Sequence, residues 1–443
     1  MAGVVTARQL QVPDGSAILK RVRRSIVGLL PLIAGMCADL LAQTPESAGS
    51  IAGDATATRP GLFRLGNFYI TPYVHVGTLG IDSNVFYTAT ERQTDFTASG
   101  GPGLEIVRPF GRESRLRIDG GLDYLYFAKT ESQRQLNGHG TAYLDVRGVK
   151  TRVAVEERYA RTFSRPNYEV NERVEQETEG TRALLRRDLG DRMRVALFGS
   201  RLRNRTESLV YLGTDLGNTL TDNRYEAGGE LQLGLSVKSR FVTGGEESWY
   251  RYPNLPERDG SSTLAYGGFR TDETALIAGW ALAGMRWFRL DSGARRDVPY
   301  ADVNATWNIS FKTRLGGRYK RDVDYSSFAT SGATPTNLDE TVEAFVEKFL
   351  TRSVYLRLYA RQSRLVSDGD VTLVVSEQGL VRSQRDDRIR EAGAELGYQF
   401  RSRIRAGITV SYTDRVSTIP TFGIEGLLAG FTLQYNPPQP TFR

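Results

Sequence analysis

The chain has 443 residues, of which 25% are charged and 40% hydrophobic, and its mean hydropathy is −0.37. This polar composition gives no support for membrane-spanning helices, but it does not exclude a β-barrel, because half of every barrel strand faces a polar lumen. The net charge of +7 is too small and too evenly spread to indicate a nucleic-acid partner. A chain of this length suggests two or three domains, yet β-barrels this long form single domains.

The first 42 residues contain the one long apolar segment. Four basic residues lie between Lys20 and Arg24, an apolar run extends from Ile26 to Ala38, and Leu40 to Ala42 precede Gln43. A basic region, an apolar region and a small-residue cleavage site in this order are typical of a secretory signal peptide. We therefore predict a signal peptide at residues 1–42, with a true start downstream of Met1.

Residues 43–66 are rich in Ala, Gly, Ser, Thr and Pro and show little periodicity, which predicts a flexible periplasmic lead. Its 24 residues are too few for a folded plug domain, which argues against an energised siderophore receptor. The only cysteine, Cys37, lies in the signal peptide, so we expect neither a disulfide nor thiol chemistry after cleavage.

The first strand is expected within Asn67–Phe86, where two short runs carry a family likeness. The runs Gly61 to Pro72 and Gly77 to Phe86 resemble the opening of the putative beta-barrel porin 2 family of bacterial outer-membrane proteins. In that family a Gly-x-Phe-x-x-x-Pro-like start leads to an Asp-x-Asn-hydrophobic element. Here that element is Asp82, Ser83 and Asn84, preceded by Ile81 in place of tyrosine.

The resemblance implies a bacterial outer-membrane location and a channel, with some family members linked to exopolysaccharide export. It implies no catalytic residues. From the residues themselves, the Asp82-Ser83-Asn84 element is expected to cap a turn, with a calcium site at the outer rim as the weaker alternative.

The third strand shows the clearest charged row. Leu116, Ile118, Leu122, Tyr124 and Tyr126 fall on one parity, while Arg115, Arg117, Asp119 and Asp123 fall on the other. Side chains alternate between the two faces of a strand. The second set is therefore predicted to line the pore, since a lipid-facing Arg or Lys costs about 2–4 kcal/mol at the membrane midplane. In the fifth strand Glu157 falls on the lipid parity, which predicts a bulge or a place near the outer rim.

The segment from Tyr300 to Arg314 shows the same alternation of apolar and polar residues most clearly. Ala301, Val303, Ala305, Trp307, Ile309 and Phe311 alternate with polar residues, and Lys312 to Arg314 then form a polar break. Similar breaks recur along the chain and predict tight turns. They lie at 110–112, 149–152, 189–192, 237–240, 350–352 and 400–403, with a weaker candidate at Ala283–Arg286.

The remaining segments supply the other loops and charged rows. Pro253–Gly268 reads as a long outer loop, and Ser367–Asp387 as the longest one, which would either extend a hairpin above the membrane or fold inward to narrow the pore. Arg357, Arg361, Glu391 and Glu395 fall on the polar parity of the fifteenth and sixteenth strands and are also predicted to line the pore.

Eight short turns predict sixteen strands, and one strand at each end brings the total to eighteen. We therefore predict an all-β fold: a single antiparallel up-and-down transmembrane barrel over residues 67–435, with about 18 strands (16 as the alternative), short periplasmic turns and long outer loops. The last strand, Leu427–Tyr435, has the apolar-aromatic alternation expected of a signal for the barrel-assembly machinery. Residues 436–443 would form a C-terminal extension.

A barrel of 16 to 18 strands leaves an aqueous channel. We therefore expect a porin-like channel that passes small solutes or assists exopolysaccharide export, with a structural or accessory barrel of an export machine as the alternative. Expected partners are outer-membrane lipid, the barrel-assembly machinery, and polysaccharide or small solutes as passengers; nucleic acid is not expected.

An outer-membrane enzyme or receptor is a weaker reading. Only two histidines exist, His75 and His139, and each is expected to be a plain strand residue. No cluster of His, Cys or carboxylate residues has metal-ligand spacing, so we predict no catalytic residue, no metal site and no cofactor.

Overall fold

The computed structural model describes residues 62–111, 113–272, 275–328, 330–331, 334–375, 379–400 and 404–435. These residues form a closed antiparallel β-barrel of 18 strands with almost no helix. The predicted fold class is confirmed, as is the preferred strand number. The predicted signal peptide, the lead up to residue 61 and the C-terminal extension lie outside the described residues. In the described part of the lead, Phe63–Leu65 form a short strand paired with Phe68–Ile70.

We number the barrel strands β1 to β18 in chain order. The first nine are β1 (Phe68–Asp82), β2 (Asp95–Phe110), β3 (Ser114–Phe127), β4 (Gln135–Arg147), β5 (Thr151–Ser164), β6 (Val174–Asp188), β7 (Met193–Thr206), β8 (Asp222–Gly234) and β9 (Ser239–Arg251). The others are β10 (Gly260–Thr271), β11 (Ile277–Leu290), β12 (Arg295–Ser310), β13 (Thr313–Tyr325), β14 (Thr336–Phe349), β15 (Val354–Val375), β16 (Gly379–Phe400), β17 (Ile404–Ser417) and β18 (Ile424–Tyr435).

The outer loops contain a few short elements. They are the single helical turns Glu131–Gln133, Leu216–Thr219, Pro256–Arg258 and Pro420–Phe422, and the short strands Val210–Tyr211, Thr214–Asp215 and Thr330–Ser331. Among the described residues, no helix has the length and apolar character needed to cross a membrane.

Each strand pairs with its neighbours in the sequence, and β1 pairs with β18 to close the sheet. The register at this seam runs from Val74 opposite Tyr435 to Asp82 opposite Leu428. Closure leaves the barrel without a free edge, so every strand has backbone partners on both sides.

Residues of the two parities differ in exposure along the wall. On β12, Trp307 and Ile309 are 46% and 45% exposed, whereas Asp302 is 1% exposed. Apolar side chains therefore cover the outside of the barrel here, as a wall in contact with lipid requires, whereas the inner face carries polar residues such as Asp302 together with buried apolar ones such as Val298 and Tyr300.

Short turns at one end of the barrel follow the predicted positions, with one error. Bacterial barrels carry their short turns at the periplasmic end, so the end with long loops is the outer one. The predicted turn at Ala283–Arg286 is wrong, because these residues lie inside β11. Gly284 is small because a side chain there would collide with the carbonyl of Ala265 on β10, not because the chain turns.

The predicted loop Pro253–Gly268 is also wrong from Gly260 onward, where β10 begins. Leu264 and Tyr266 of β10 point inward and Thr263 faces out, and only near the end of the strand does a large apolar side chain, Phe269, face outward. This is the reverse of the pattern typical of a lipid-facing strand. The predicted turn divided β11 into two strands, and the predicted loop concealed β10. The two errors cancel in the total of 18.

The predicted outer loop Ser367–Asp387 is mostly paired. β15 and β16 each extend over 22 residues and remain paired from Asp370 opposite Gln384 to Val375 opposite Gly379. The structure shows an extended hairpin, in which the side chains of Val371 and Leu373 are fully buried. The ladder is interrupted between Val366 and Asp370, where Gly369 has a φ of 99°.

Glu157 does face outward, and its surroundings explain why. Thr181 donates a hydrogen bond of 2.6 Å to it from the next strand. Closer to the outer end of the same face, Tyr159 donates to Glu177 at 3.0 Å and Arg161 to Glu175 at 2.8 Å. The outer wall of β5 and β6 is therefore polar near the rim, which places this band beyond the hydrocarbon region.

The Asp82-Ser83-Asn84 element stabilises both a turn and the barrel seam. The side chain of Asp82 accepts from the amide of Asn84 at 2.9 Å, and Asn84 is fully buried. The Asn84 amide group donates to the carbonyls of Thr88 and Glu425 at 2.9 and 3.0 Å. Ser83 exchanges two hydrogen bonds with the backbone of Leu427. The element thus joins the first strand to the last at the outer end.

We predict that Ala305→Arg, which faces lipid, lowers the free energy of unfolding by about 2–4 kcal/mol. The matched change Thr306→Arg, one residue along on the inner face, should have a much smaller effect. Chemical denaturation of the barrel in lipid vesicles measures both, and equal losses would contradict the assignment of the two faces.

We also predict that Asn84→Ala destabilises the barrel by about 2–3 kcal/mol, because buried carbonyls at the seam lose their donor. Asn304→Ala is the control, since the Asn304 side chain makes no hydrogen bond within the described residues. The same denaturation assay measures the difference, and a loss no larger than that of the control would show that the seam does not depend on Asn84.

Candidate functional site

The first predicted charged row lies on the inner face of β3 and is paired with neighbouring strands. Arg117 contacts Glu105 on β2 with a nitrogen–oxygen distance of 2.7 Å. Arg115 lies opposite Asp145 of β4 in the strand register. These cations therefore lie among carboxylates of the adjacent strands, within the wall of the lumen.

The two carboxylates of this row contact the only two histidines of the chain. His75 Nε2 contacts Asp123, and His139 Nε2 lies 3.6 Å from Asp119 Oδ1. The Tyr73 hydroxyl lies 3.4 Å from Asp119 and 3.5 Å from His139. Sequence reasoning treated the histidines as plain strand residues and missed this cluster, which forms only when β1, β3 and β4 are side by side.

The cluster contains acids, bases and a phenol. Within the described residues, no serine or threonine hydroxyl is hydrogen bonded to either imidazole, and no group of three or more His, Cys, Asp or Glu side chains is arranged to hold a metal ion.

The second predicted row brings Arg357 opposite Glu395 and Arg361 opposite Glu391 across β15 and β16. Arg361 instead contacts Glu343 on the other side, at 3.2 Å. The two glutamates accept hydrogen bonds from tyrosines of the same wall. These are Tyr355 with Glu395, and Tyr359 with Glu391 at 3.3 Å.

A third charged group, on β8 to β13, was missed by the sequence analysis. Arg286 contacts Asp322 at 2.7 Å and Glu246 at 3.6 Å, and Arg270 contacts Glu230 at 3.0 Å. The prediction placed Arg286 in a turn, and that error concealed its position on the inner face. The acidic residues at one parity of β8 and β9 were the signal that could have revealed this group.

Residues 165–173, here called the mouth loop, join β5 to β6 and cross the lumen at its outer end. On the near side, Asn171 donates to the carbonyl of Tyr87 at 2.9 Å. On the far side, Glu169 accepts hydrogen bonds from the Ser326 hydroxyl at 2.8 Å and from the Ser327 amide. The β13–β14 connection lies about halfway round the barrel from β5–β6, so the loop spans the opening.

Aromatic and cationic contacts hold the centre of the mouth loop. The guanidinium of Arg361 lies 5.3 Å from the ring centre of Tyr168, and Arg415 donates to the Tyr168 carbonyl and the Asn171 side chain. Burial raises the pKa of the Tyr168 phenol above its ordinary value, so the ring stays neutral at physiological pH.

A buried apolar cluster packs beside the mouth loop. We call it the mouth cluster; it comprises Phe328, Val371, Leu373, Ile419 and Phe422, all at most 1% exposed. Arg385 is fully buried against it, with its guanidinium 3.6 Å from the Phe422 ring centre. Arg385 donates to Asp387 at 2.9 Å and to the Glu169 carbonyl at 3.3 Å. One arginine thus joins the extended hairpin to the mouth loop.

We predict that Arg385→Ala destabilises the outer mouth by about 3–5 kcal/mol, because Asp387 is left as an unpaired buried charge. The control is Arg388→Ala, an exposed residue of the same strand, which should change stability by no more than about 0.5 kcal/mol. Chemical denaturation gives the energies. Limited trypsin digestion should cut the mouth loop faster in Arg385→Ala alone, and unchanged digestion would contradict the role of Arg385.

The described geometry defines an outer-membrane β-barrel with a charged inner face. The model of the putative beta-barrel porin 2 family matches residues 60–435, and the chain belongs to this family. The predicted family resemblance and the bacterial outer-membrane location are confirmed. No match was found among the curated proteins.

The solved structures that resemble the chain include receptors and transporters. A mutant of the ferric enterobactin receptor PfeA of Pseudomonas aeruginosa has 10% sequence identity and a TM-score of 0.40, and the match covers 82% of this chain and 80% of that one. The siderophore receptor PirA of Pseudomonas aeruginosa has 10% identity and a TM-score of 0.42, covering 83% and 80%. The alcaligin receptor FauA of Bordetella pertussis has 13% identity and a TM-score of 0.41, covering 86% and 67%.

Proposed function

We propose that this protein is a porin-like channel that passes small hydrophilic solutes across the outer membrane. The observation that carries the proposal is a closed barrel of 18 strands whose inner face has charged groups on β3, on β15 and β16, and on β8 to β13. Barrels of 16 to 18 strands are wide enough to hold an aqueous channel, whereas barrels of eight are filled by side chains. The eight residues predicted to line the pore comprise four arginines and four carboxylates, so that set brings no net charge.

The mouth loop would be the constriction of this channel. It crosses the opening from the Tyr87 carbonyl on one side to Ser326 and Ser327 on the other. Solutes would have to pass beside it, so its size and charge would set what enters.

Assistance of exopolysaccharide export is a second candidate, drawn from the family resemblance. The observation that favours it is the same crossing of the outer mouth. A polymer exporter, or an accessory barrel of an export machine, would need its outer end closed until a partner or a polymer binds.

We predict steady single-channel openings from the protein extracted from outer membranes and inserted into a planar bilayer. Replacing residues 166–170 by Gly-Ser-Gly should raise the conductance severalfold, because it removes the chain that crosses the mouth. The control is a Gly-Ser-Gly replacement in the exposed periplasmic turn 235–238, which should leave the conductance unchanged.

A silent wild-type barrel with a conducting mouth-loop variant would favour the closed exporter. Silence of both proteins, with heat-modifiable gel migration showing that each is folded, would contradict the channel proposal.

A further inference from the structure

Arg165 lies at the start of the mouth loop, and one nitrogen of its guanidinium has no hydrogen-bond acceptor within the described residues. Its Nε donates to the carbonyl of Asn171 at 2.7 Å, and its Nη2 donates to the carbonyl of Val85 at 2.6 Å. The guanidinium lies over the ring of Tyr87, 3.5 Å from the ring centre. Within the described residues, nothing accepts a hydrogen bond from Nη1.

Arg173, at the other end of the mouth loop, is directed at the same point. Its Nη1 donates to the carbonyl of Val85 and to the side chain of Gln133, both at 3.1 Å. Its guanidinium lies 5.0 Å from the ring centre of Phe127. Two guanidinium groups therefore share one carbonyl oxygen, which places like charges side by side. We call Arg165 and Arg173 the arginine pair.

The arginine pair has no bound counter-charge. Within the described residues, no carboxylate lies within ion-pair distance of either guanidinium, and Asp82 and Glu172 act on the pair only through space. Burial lowers the pKa of Arg165, and burial together with the neighbouring Arg165 lowers the pKa of Arg173 to about 10. Both still carry a charge at neutral pH, and adjacent charges without a counter-ion are unfavourable.

Other buried arginines of the mouth are arranged differently. Arg385 is fully buried and contacts the carboxylate of Asp387. Arg415 is 4% exposed, and its Nε and both Nη groups donate to protein oxygens. In contrast, both members of the arginine pair keep part of their surface accessible, and Nη1 of Arg165 and Nε and Nη2 of Arg173 have no acceptor within the described residues.

We propose that the arginine pair is a binding site for a small oxyanion at the outer mouth. The ligand would be a carboxylate, sulfate or phosphate group carried by a free solute. Guanidinium groups bind such oxygens through paired N–H donors, and a bound oxyanion would supply the missing counter-charge. Tyr87 and Phe127 form the apolar sides of the site, and Val85 fixes the distance between the two cations.

The site gives the proposed channel a substrate class, since it concentrates anions at the constriction. That part rests on the proposed function, whereas binding itself does not require conduction. The two can be tested separately on the full protein extracted in detergent.

Isothermal titration calorimetry with sodium sulfate should show one saturable site in the wild type. Arg173→Gln should weaken sulfate binding about tenfold, the effect of losing one charge-assisted contact. Arg173→Lys keeps the charge and should lose less. Arg289→Gln, the same change at an exposed position on the outer surface of β11, should bind as the wild type does.

In planar bilayers under a potassium chloride gradient, the wild-type reversal potential should show a preference for chloride, which Arg173→Gln reduces and Arg289→Gln retains. Absence of sulfate binding, or equal binding by Arg173→Gln and the wild type, would overturn the proposal even if the channel conducts. Sulfate binding that depends on Arg173 in a silent barrel would support the site while contradicting the channel.

Discussion

The structure depends on one constraint: a sheet that crosses a membrane must have no open edge. Lipid offers no hydrogen-bond partners, so the backbone groups of the first strand have to meet those of the last. The register from Val74–Tyr435 to Asp82–Leu428 satisfies this requirement, and Ser83 and Asn84 extend it beyond the ladder. Once the sheet is closed, each residue faces either lipid or lumen, and the charged inner wall follows from this division.

The same division explains why much of the fold could be predicted from the sequence. Alternation along a strand is a local property, and the segment around Trp307 shows it without reference to any other part of the chain. Polar breaks are equally local, so most turns were placed correctly. The errors arose where the local signal was reversed or ambiguous. Leu264 and Tyr266 point their apolar side chains into the lumen, and Gly284 permits close packing of two strands in place of a turn.

The candidate site was less predictable, because it depends on contacts between distant parts of the chain. The parity of Arg361 indicates its face, but not that it approaches Tyr168 of the mouth loop. Likewise, Arg385 and Glu169 are separated by more than 200 residues, and no periodicity links them. The pairing of both histidines with carboxylates also requires the barrel to be assembled first, since β1, β3 and β4 bring those side chains together.

The attachment of the mouth loop at both sides of the barrel has a mechanical consequence. A loop that is attached at one side can move as a lid, whereas a loop that is attached at both sides can only bend or detach. The contacts at Tyr87 and at Ser326 attach the mouth loop at both sides of the barrel, and Arg385 connects it to the extended hairpin. The rigidity of the loop, more than any opening motion, would then set the width of the two openings between the loop and the barrel wall.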